Sequence, residues 1–260
     1  MDIPALKFVT RKTRPQRILS IPGVGNLREL GGYPTRDGRS TRWKALLRSA
    51  GLDGLMGDGQ RKLIEYGLRT DIDLRAYYQR ETGPDVFHDS SEVIYKPLPV
   101  FDSQEFEDRI ARQPTVADGY WLMLVERAPA FRAVIEAVAS APDGATLIHC
   151  AAGKDRTGLA IVLLLGAVGV PSGVIVEDYA LSQKILTDPA DEFRQLALAR
   201  GYQPHEYDEM MRTDPDTMRD VLERLDARFG GLTGYLKAIG LTDDTLTRLR
   251  ARLVDAGPAK

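Results

Sequence analysis

The sequence predicts an α/β fold, a mixed sheet of four or five strands flanked by helices, with a helical C-terminal third. Three observations carry that expectation. Short apolar runs of strand length precede residue 150, helical periodicity dominates after it, and between them lie a strand, a tight loop and a core helix. This central unit opens with the apolar run 145–148, passes through His149-Cys150-Ala151-Ala152-Gly153-Lys154-Asp155-Arg156-Thr157-Gly158, and continues as the apolar stretch 159–170.

Residues 1–21 read as a basic arm lying on a single domain that spans 22–260, with Arg11, Lys12, Arg14 and Arg17 clustered in the arm. Gly31-Gly32 and the turn Arg36-Asp37-Gly38-Arg39 predict a hairpin near the central loop. Residues 52–67 read as loop then helix, 68–74 as a strand, 76–91 as a polar loop, and 93–96 as a further strand. The irregular stretch 97–118 holds a short helix over 104–112, and its length suggests a lid or binding loop. A helix over 120–138 is interrupted at Pro129. Helices follow over 174–186 and 191–200. Another starts at Asp214-Pro215 and carries Met218, Val221, Leu222, Leu225 and Phe229 to Gly230-Gly231, and two more cover 232–239 and 242–254.

At 260 residues the chain can build one sizeable core. A net charge of −2 gives no general attraction to nucleic acid. Cys150 is the only cysteine, so no disulfide forms within the chain. Residues 1–17 lack an apolar signal segment, and the run 159–170 falls short of the ~20 residues a membrane span needs. The expectation is a cytoplasmic protein without stable membrane insertion, export without a cleaved signal being left open.

The central loop has the residue types of an anion site built around a nucleophile. Cys150 closes a strand, and a helix begins near Arg156, so backbone N–H groups, a helix N-terminus and a guanidinium surround a space the size of a phosphate. Those groups can bring a thiol, whose reference pKa is about 8.5, to the thiolate form near neutral pH. Gly153 lets the backbone turn, and Gly158 lets the helix start close to its neighbours. The fork of Arg156 matches two phosphoryl oxygens. Thr157 can place its hydroxyl near the sulfur, and His149 is expected to orient the loop through a ring N–H.

Cys-x5-Arg followed by Thr-Gly resembles the signature of the protein tyrosine phosphatase superfamily, and the ten-residue version from His149 to Gly158 resembles its bacterial branch related to mycobacterial protein tyrosine phosphatase B. The similarity covers roughly residues 22–253. It includes the run from Asn26 through Arg28, Gly31 and Gly32 to Tyr33, then Leu47-Arg48-Ser49, Asp73-Leu74-Arg75 with Glu81 beyond it, and Asp178-Tyr179. Where that branch carries an apolar pair before Ile-Asp-Leu-Arg, this chain has Thr70-Asp71. The resemblance implies a cysteine-phosphatase fold, a helical lid within 182–211, and hydrolysis of phosphate monoesters through a phospho-cysteine.

In that scheme Cys150 is the nucleophile. Arg156 and the loop residues Ala151, Ala152, Gly153, Lys154, Thr157 and Gly158 bind the phosphoryl oxygens. No Trp-Pro-Asp loop is present to bring a proton donor, and the resemblance implies Asp155 as general acid, with Asp102, just after the 97–101 stretch, as the alternative. Asp73 can meet the loop from a neighbouring strand, or form an ion pair with Arg75. Lys154 suits a second phosphate, as in phosphatases of inositol lipids, or simply faces solvent. The implied substrates are phosphotyrosine proteins first, then dual-specificity phosphoproteins or phosphoinositides, with inorganic phosphate as product. No metal or organic cofactor is implied, and His88 and His205 have no partner at metal-ligand spacing. Two rivals remain. A module that captures phosphorylated partners without turnover would normally lack the cysteine, and a rhodanese-like sulfur transferase would normally have a differently built loop.

Overall fold

A computed structural model describes residues 16–257. Five strands form one sheet in the order β1-β2-β5-β3-β4: β1 (Arg28–Glu29), β2 (Leu46–Ser49), β3 (Leu68–Asp73), β4 (Ile94–Pro97) and β5 (Ala145–His149). β1 runs antiparallel to β2, and the other four strands are mutually parallel. Ser49, His149 and Asp73 sit side by side in register, so three parallel strands end together below the loop that starts at Cys150. Ligands of such sheets bind beyond those carboxyl ends.

The pleat sorts the sheet's residues between two cores. Leu46, Ile148 and Ile72 face the larger one, while Leu47 and Leu147 face the smaller, which Leu68 joins across a register shift before Thr70. The smaller core is closed by α1 (Gly57–Tyr66), which ends at Gly67 in the left-handed region. After β3 come the short α2 (Tyr77–Thr82), and after β4 come α3 (Gln104–Ala111), α4 (Val116–Glu126) and α5 (Ala128–Ala139). α6 (Asp155–Ala167) is buried along nearly its whole length, as its apolar sequence requires. α7 (Ser172–Leu186), α11 (Leu232–Ala238) and α12 (Asp243–Leu253) pack against it, α10 (Pro215–Phe229) packs on α7 and α11, and α8 (Glu192–Ala199) and α9 (Pro204–Met210) pack on each other.

Several elements differ from the sequence expectation for identifiable reasons. The polar stretch 76–91 contains α2, whose six residues are too few to show a period. The helix expected over 120–138 starts at Val116, capped by Thr115, and divides at Arg127 because Pro129 enters the first turn of the next helix. α9 lies within the stretch 182–211 expected to hold a helical lid, though no periodicity marks it as a separate helix. Thr70 and Asp71 are both fully buried, so the polar pair lies inside the sheet.

The expected turn is present, with Pro34 and Ser40 bridged and Gly38 at φ 82°. Residues Arg11, Lys12 and Arg14 of the basic arm lie outside the described residues. Its end joins the domain: Ile18 bridges to Arg28, Leu19 and Ile21 pack on the smaller core, and the Arg17 guanidinium stacks 3.8 Å from the centroid of the Tyr33 ring. Among the described residues, no helix is long and apolar enough to cross a membrane.

Candidate active site

The loop from Cys150 to Lys154 is held from outside through its carbonyls. Gly51 donates its N–H to Ala151 O at 2.9 Å. Asn26 Nδ2 donates to the carbonyls of Ala152 and Gly153, each at 3.1 Å, and Arg48 Nη2 donates to Gly153 O at 2.7 Å. In a trans peptide the N–H points opposite to the C=O, so tethering the carbonyls outward turns the loop's N–H groups toward its concave side. Gly153 is needed here. Its φ is +69°, and a Cβ would stand 2.1 Å from Ser49 O.

The tethers belong to a buried ionic network. Asp178 on α7 accepts from Arg28 Nε at 3.0 Å, from Arg48 Nη1 at 2.6 Å and from the Tyr33 hydroxyl at 2.9 Å. Burial works against the Asp178 charge, but the two guanidiniums outweigh it and hold the carboxyl well below its usual range. Arg48 therefore braces the loop with one nitrogen and α7 with the other.

Cys150 is 2% exposed. Burial pushes its thiol up, but the Arg156 charge first and Thr157 second bring the net shift below the ordinary value. The Arg156 guanidinium lies 5.1 Å from the Phe101 ring centroid and donates from Nη1 to Gln79 Oε1 at 2.7 Å. Gln79, on α2, is a site residue the sequence reading missed. The same Oε1 accepts the Ala76 N–H at 3.2 Å, which fixes the amide.

Asp155 opens α6, one residue earlier than expected, and its side chain is 36% exposed. Its Oδ1 accepts from the Tyr120 hydroxyl at 2.5 Å and lies 3.4 Å from Lys154 Nζ. Tyr120 in turn meets the Tyr179 hydroxyl at 3.0 Å. Gly158 lies against the Tyr179 ring and donates to Lys154 O at 2.8 Å. Lys154 does not face open solvent: its side chain is 13% exposed, and Nζ donates to Met210 O at 2.7 Å. Asp102 is elsewhere engaged, its carboxylate accepting the Tyr77 N–H at the start of α2.

Asp73 points away from the anion space. Its carboxylate pairs with Arg75 Nη2 at 2.9 Å and accepts from the Tyr95 hydroxyl at 3.0 Å. His149 lies on the same face of the sheet. Its Nδ1 faces Cys150 O at 3.4 Å, while Nε2 lies 3.4 Å from Asp71 and 3.2 Å from Asp85. Burial opposes a charged ring, but Asp71 and Asp73 outweigh it, so the His149 pKa is raised well above its ordinary value. Asp71, Asp85 and His149 are the one group among the described residues whose chemistry suits a metal ion. Arg75 sits 3.7 Å from Asp85, and burial pushes Asp71 up while Asp85 stays low beside His149.

With a thiol of lowered pKa, a guanidinium and a tethered anion loop assembled beyond the carboxyl end of the central strand, the comparison with known proteins is direct. The model of the tyrosine phosphatase family matches residues 19–255. The chain belongs to that family. This phosphatase is 30% identical over 221 residues to a tyrosine-protein phosphatase of Nostoc commune, covering 82% of this chain and 75% of that one. It is 25% identical over 284 residues to the triple specificity protein phosphatase PtpB of Mycobacterium tuberculosis, covering 91% of this chain and 99% of that one. The sheet flanked by helices is the family's α/β arrangement, and the enzyme class is that of a protein tyrosine phosphatase.

Proposed function

We propose that this phosphatase hydrolyses phosphotyrosine in proteins through a phospho-cysteine on Cys150. The thiolate attacks phosphorus and the bond to the leaving oxygen breaks. Asp155 gives its proton to that oxygen. Arg156 and the N–H groups of the loop from Ala151 to Gly158 hold the three equatorial oxygens. Water then attacks the phospho-cysteine, Asp155 takes a proton from it, and inorganic phosphate leaves with the thiolate restored. This cycle draws on no metal or organic cofactor.

The observation that carries the reading is a loop between Cys150 and Arg156 whose Ala151, Ala152 and Gly153 carbonyls are drawn outward, with the Arg156 charge favouring the Cys150 thiolate. Asp155 is preferred to Asp102 because it adjoins Arg156 in the loop, whereas Asp102 caps α2. α8 and α9 are read as the lid. Arg194 joins them through Asp208, and Tyr207 and Met211 pack with Ala152 of the loop.

A second reading, phosphoinositide hydrolysis on the same chemistry, draws on Lys154, which a lid movement would free from Met210 O. Phosphate release at mildly acidic pH from a phosphotyrosine peptide and from vesicles containing a monophosphorylated inositol lipid, each with Cys150→Ser, decides between them. Faster peptide turnover that vanishes in Cys150→Ser is expected. Faster lipid turnover would make the second reading the primary one, and release that survives Cys150→Ser would remove both.

A further inference from the structure

Asp155 is the terminus of a buried chain of phenols whose direction follows from counting hydrogens. Tyr120, on α4, is 2% exposed and Tyr179, on α7, is 1% exposed; their rings meet edge to face at 6.1 Å. Each phenol has one hydrogen to give. The Tyr120 hydrogen goes to Asp155 Oδ1, so the contact between the hydroxyls has Tyr179 as donor. Burial, reinforced by the Asp155 charge, raises the pKa of both phenols, so both hydrogens stay in place.

We propose that Tyr120 and Tyr179 are positioning residues for phosphoryl transfer, fixing the Asp155 carboxyl so that its transferable proton sits on Oδ2. Oδ1 accepts a hydrogen bond whether the carboxyl is ionised or protonated, so the chain need not reverse during the cycle. The only rearrangement is the proton's arrival and departure at the other oxygen. The proposal rests on Asp155 as the general acid.

Other charges that face the group are Lys154, 3.4 Å from Oδ1, and Cys150 across the loop; Arg48 and Asp214 act on Tyr179. Lys154 Nζ, which donates to Met210 O, faces the same Oδ1 and is present in every variant compared, while Arg48 is engaged with Asp178 and Gly153.

The test is kcat/KM against pH for two phosphate monoesters, one with an alkyl leaving group and one with an acidic aryl leaving group that departs without a proton. Wild type, Tyr120→Phe, Tyr179→Phe and Asp155→Asn are compared. In Tyr120→Phe the ratio of alkyl to aryl kcat/KM at the pH optimum should fall about tenfold, because the carboxyl has lost the donor that fixes it. In Tyr179→Phe the ratio should fall by less. The aryl ester reports whether each variant folds with a working Cys150. A Tyr120→Phe ratio equal to wild type, with Asp155→Asn impaired on the alkyl ester alone, would overturn the positioning role. An Asp155→Asn ratio equal to wild type would instead remove Asp155 as the acid, and the proposal with it.

Discussion

A thiol as buried as Cys150, at 2% exposure, would ordinarily be an inert core residue. Its surroundings reverse that expectation, because the Arg156 charge and Thr157 overcome burial. This candidate site could be read from the sequence because its parts are contiguous: thiol, loop and guanidinium fall within seven residues, Cys150 to Arg156. Gln79 and Tyr120 were not legible. Each reaches the loop from a helix distant in sequence, and no spacing pattern connects Gln79 to Arg156 or Tyr120 to Asp155. Gln79 gives a prediction at this scale. It is the neutral acceptor that holds the Arg156 fork, and hydrogen bonds to a charged group are worth about 1.5–3 kcal/mol. Gln79→Ala should raise KM for an aryl phosphate about tenfold, measured by steady-state kinetics, while alkylation of Cys150 by iodoacetamide proceeds at the wild-type rate. An unchanged KM would mean that Gln79 only caps α2.

At the scale of elements, strand register explains a cluster that the sequence showed only as an anomaly. Thr70-Asp71 departs from an apolar pair, and parallel pairing of β3 with β5 puts Asp71 and Asp73 on the face that carries His149. The loop after α2 brings Asp85 against the same ring. A period of two places residues 71 and 73 together, but only the pairing places 149 beside them. Burial raises Asp71 above its unfolded value, about 3.9, and His149 is also raised above its own, about 6.5. Groups shifted upward stabilise the fold most below their unfolded values, and that contribution is lost as pH rises through their folded values. Wild type should therefore lose more stability than Asp71→Asn between about pH 5 and about pH 8. Urea midpoints at the two pH values check this, and an equal or larger loss in Asp71→Asn would contradict it.

At the scale of the whole molecule, the sheet flanked by helices and the helical C-terminal third followed from where periodicity changed along the chain. Short elements did not. α2 and α9, of six and seven residues, are fixed by contacts: α2 by Asp102 and Gln79, α9 by Tyr207 packing and the bond from Lys154 to Met210. The β3 strand was legible in place but not in burial, since a polar pair at its start reads as surface until partners appear across the sheet. The same fold brings Asn26, Arg48 and Asp178 from three separate segments to fix one loop, and the proposed activity depends on that convergence at Cys150. Rapid acid quench during turnover of a phosphotyrosine peptide, followed by mass spectrometry of the fragment containing residue 150, tests this most directly. A phosphoryl group on Cys150 that forms and decays at the rate of turnover is the predicted result. Phosphate release with no such adduct, or with the adduct on another side chain, would contradict it.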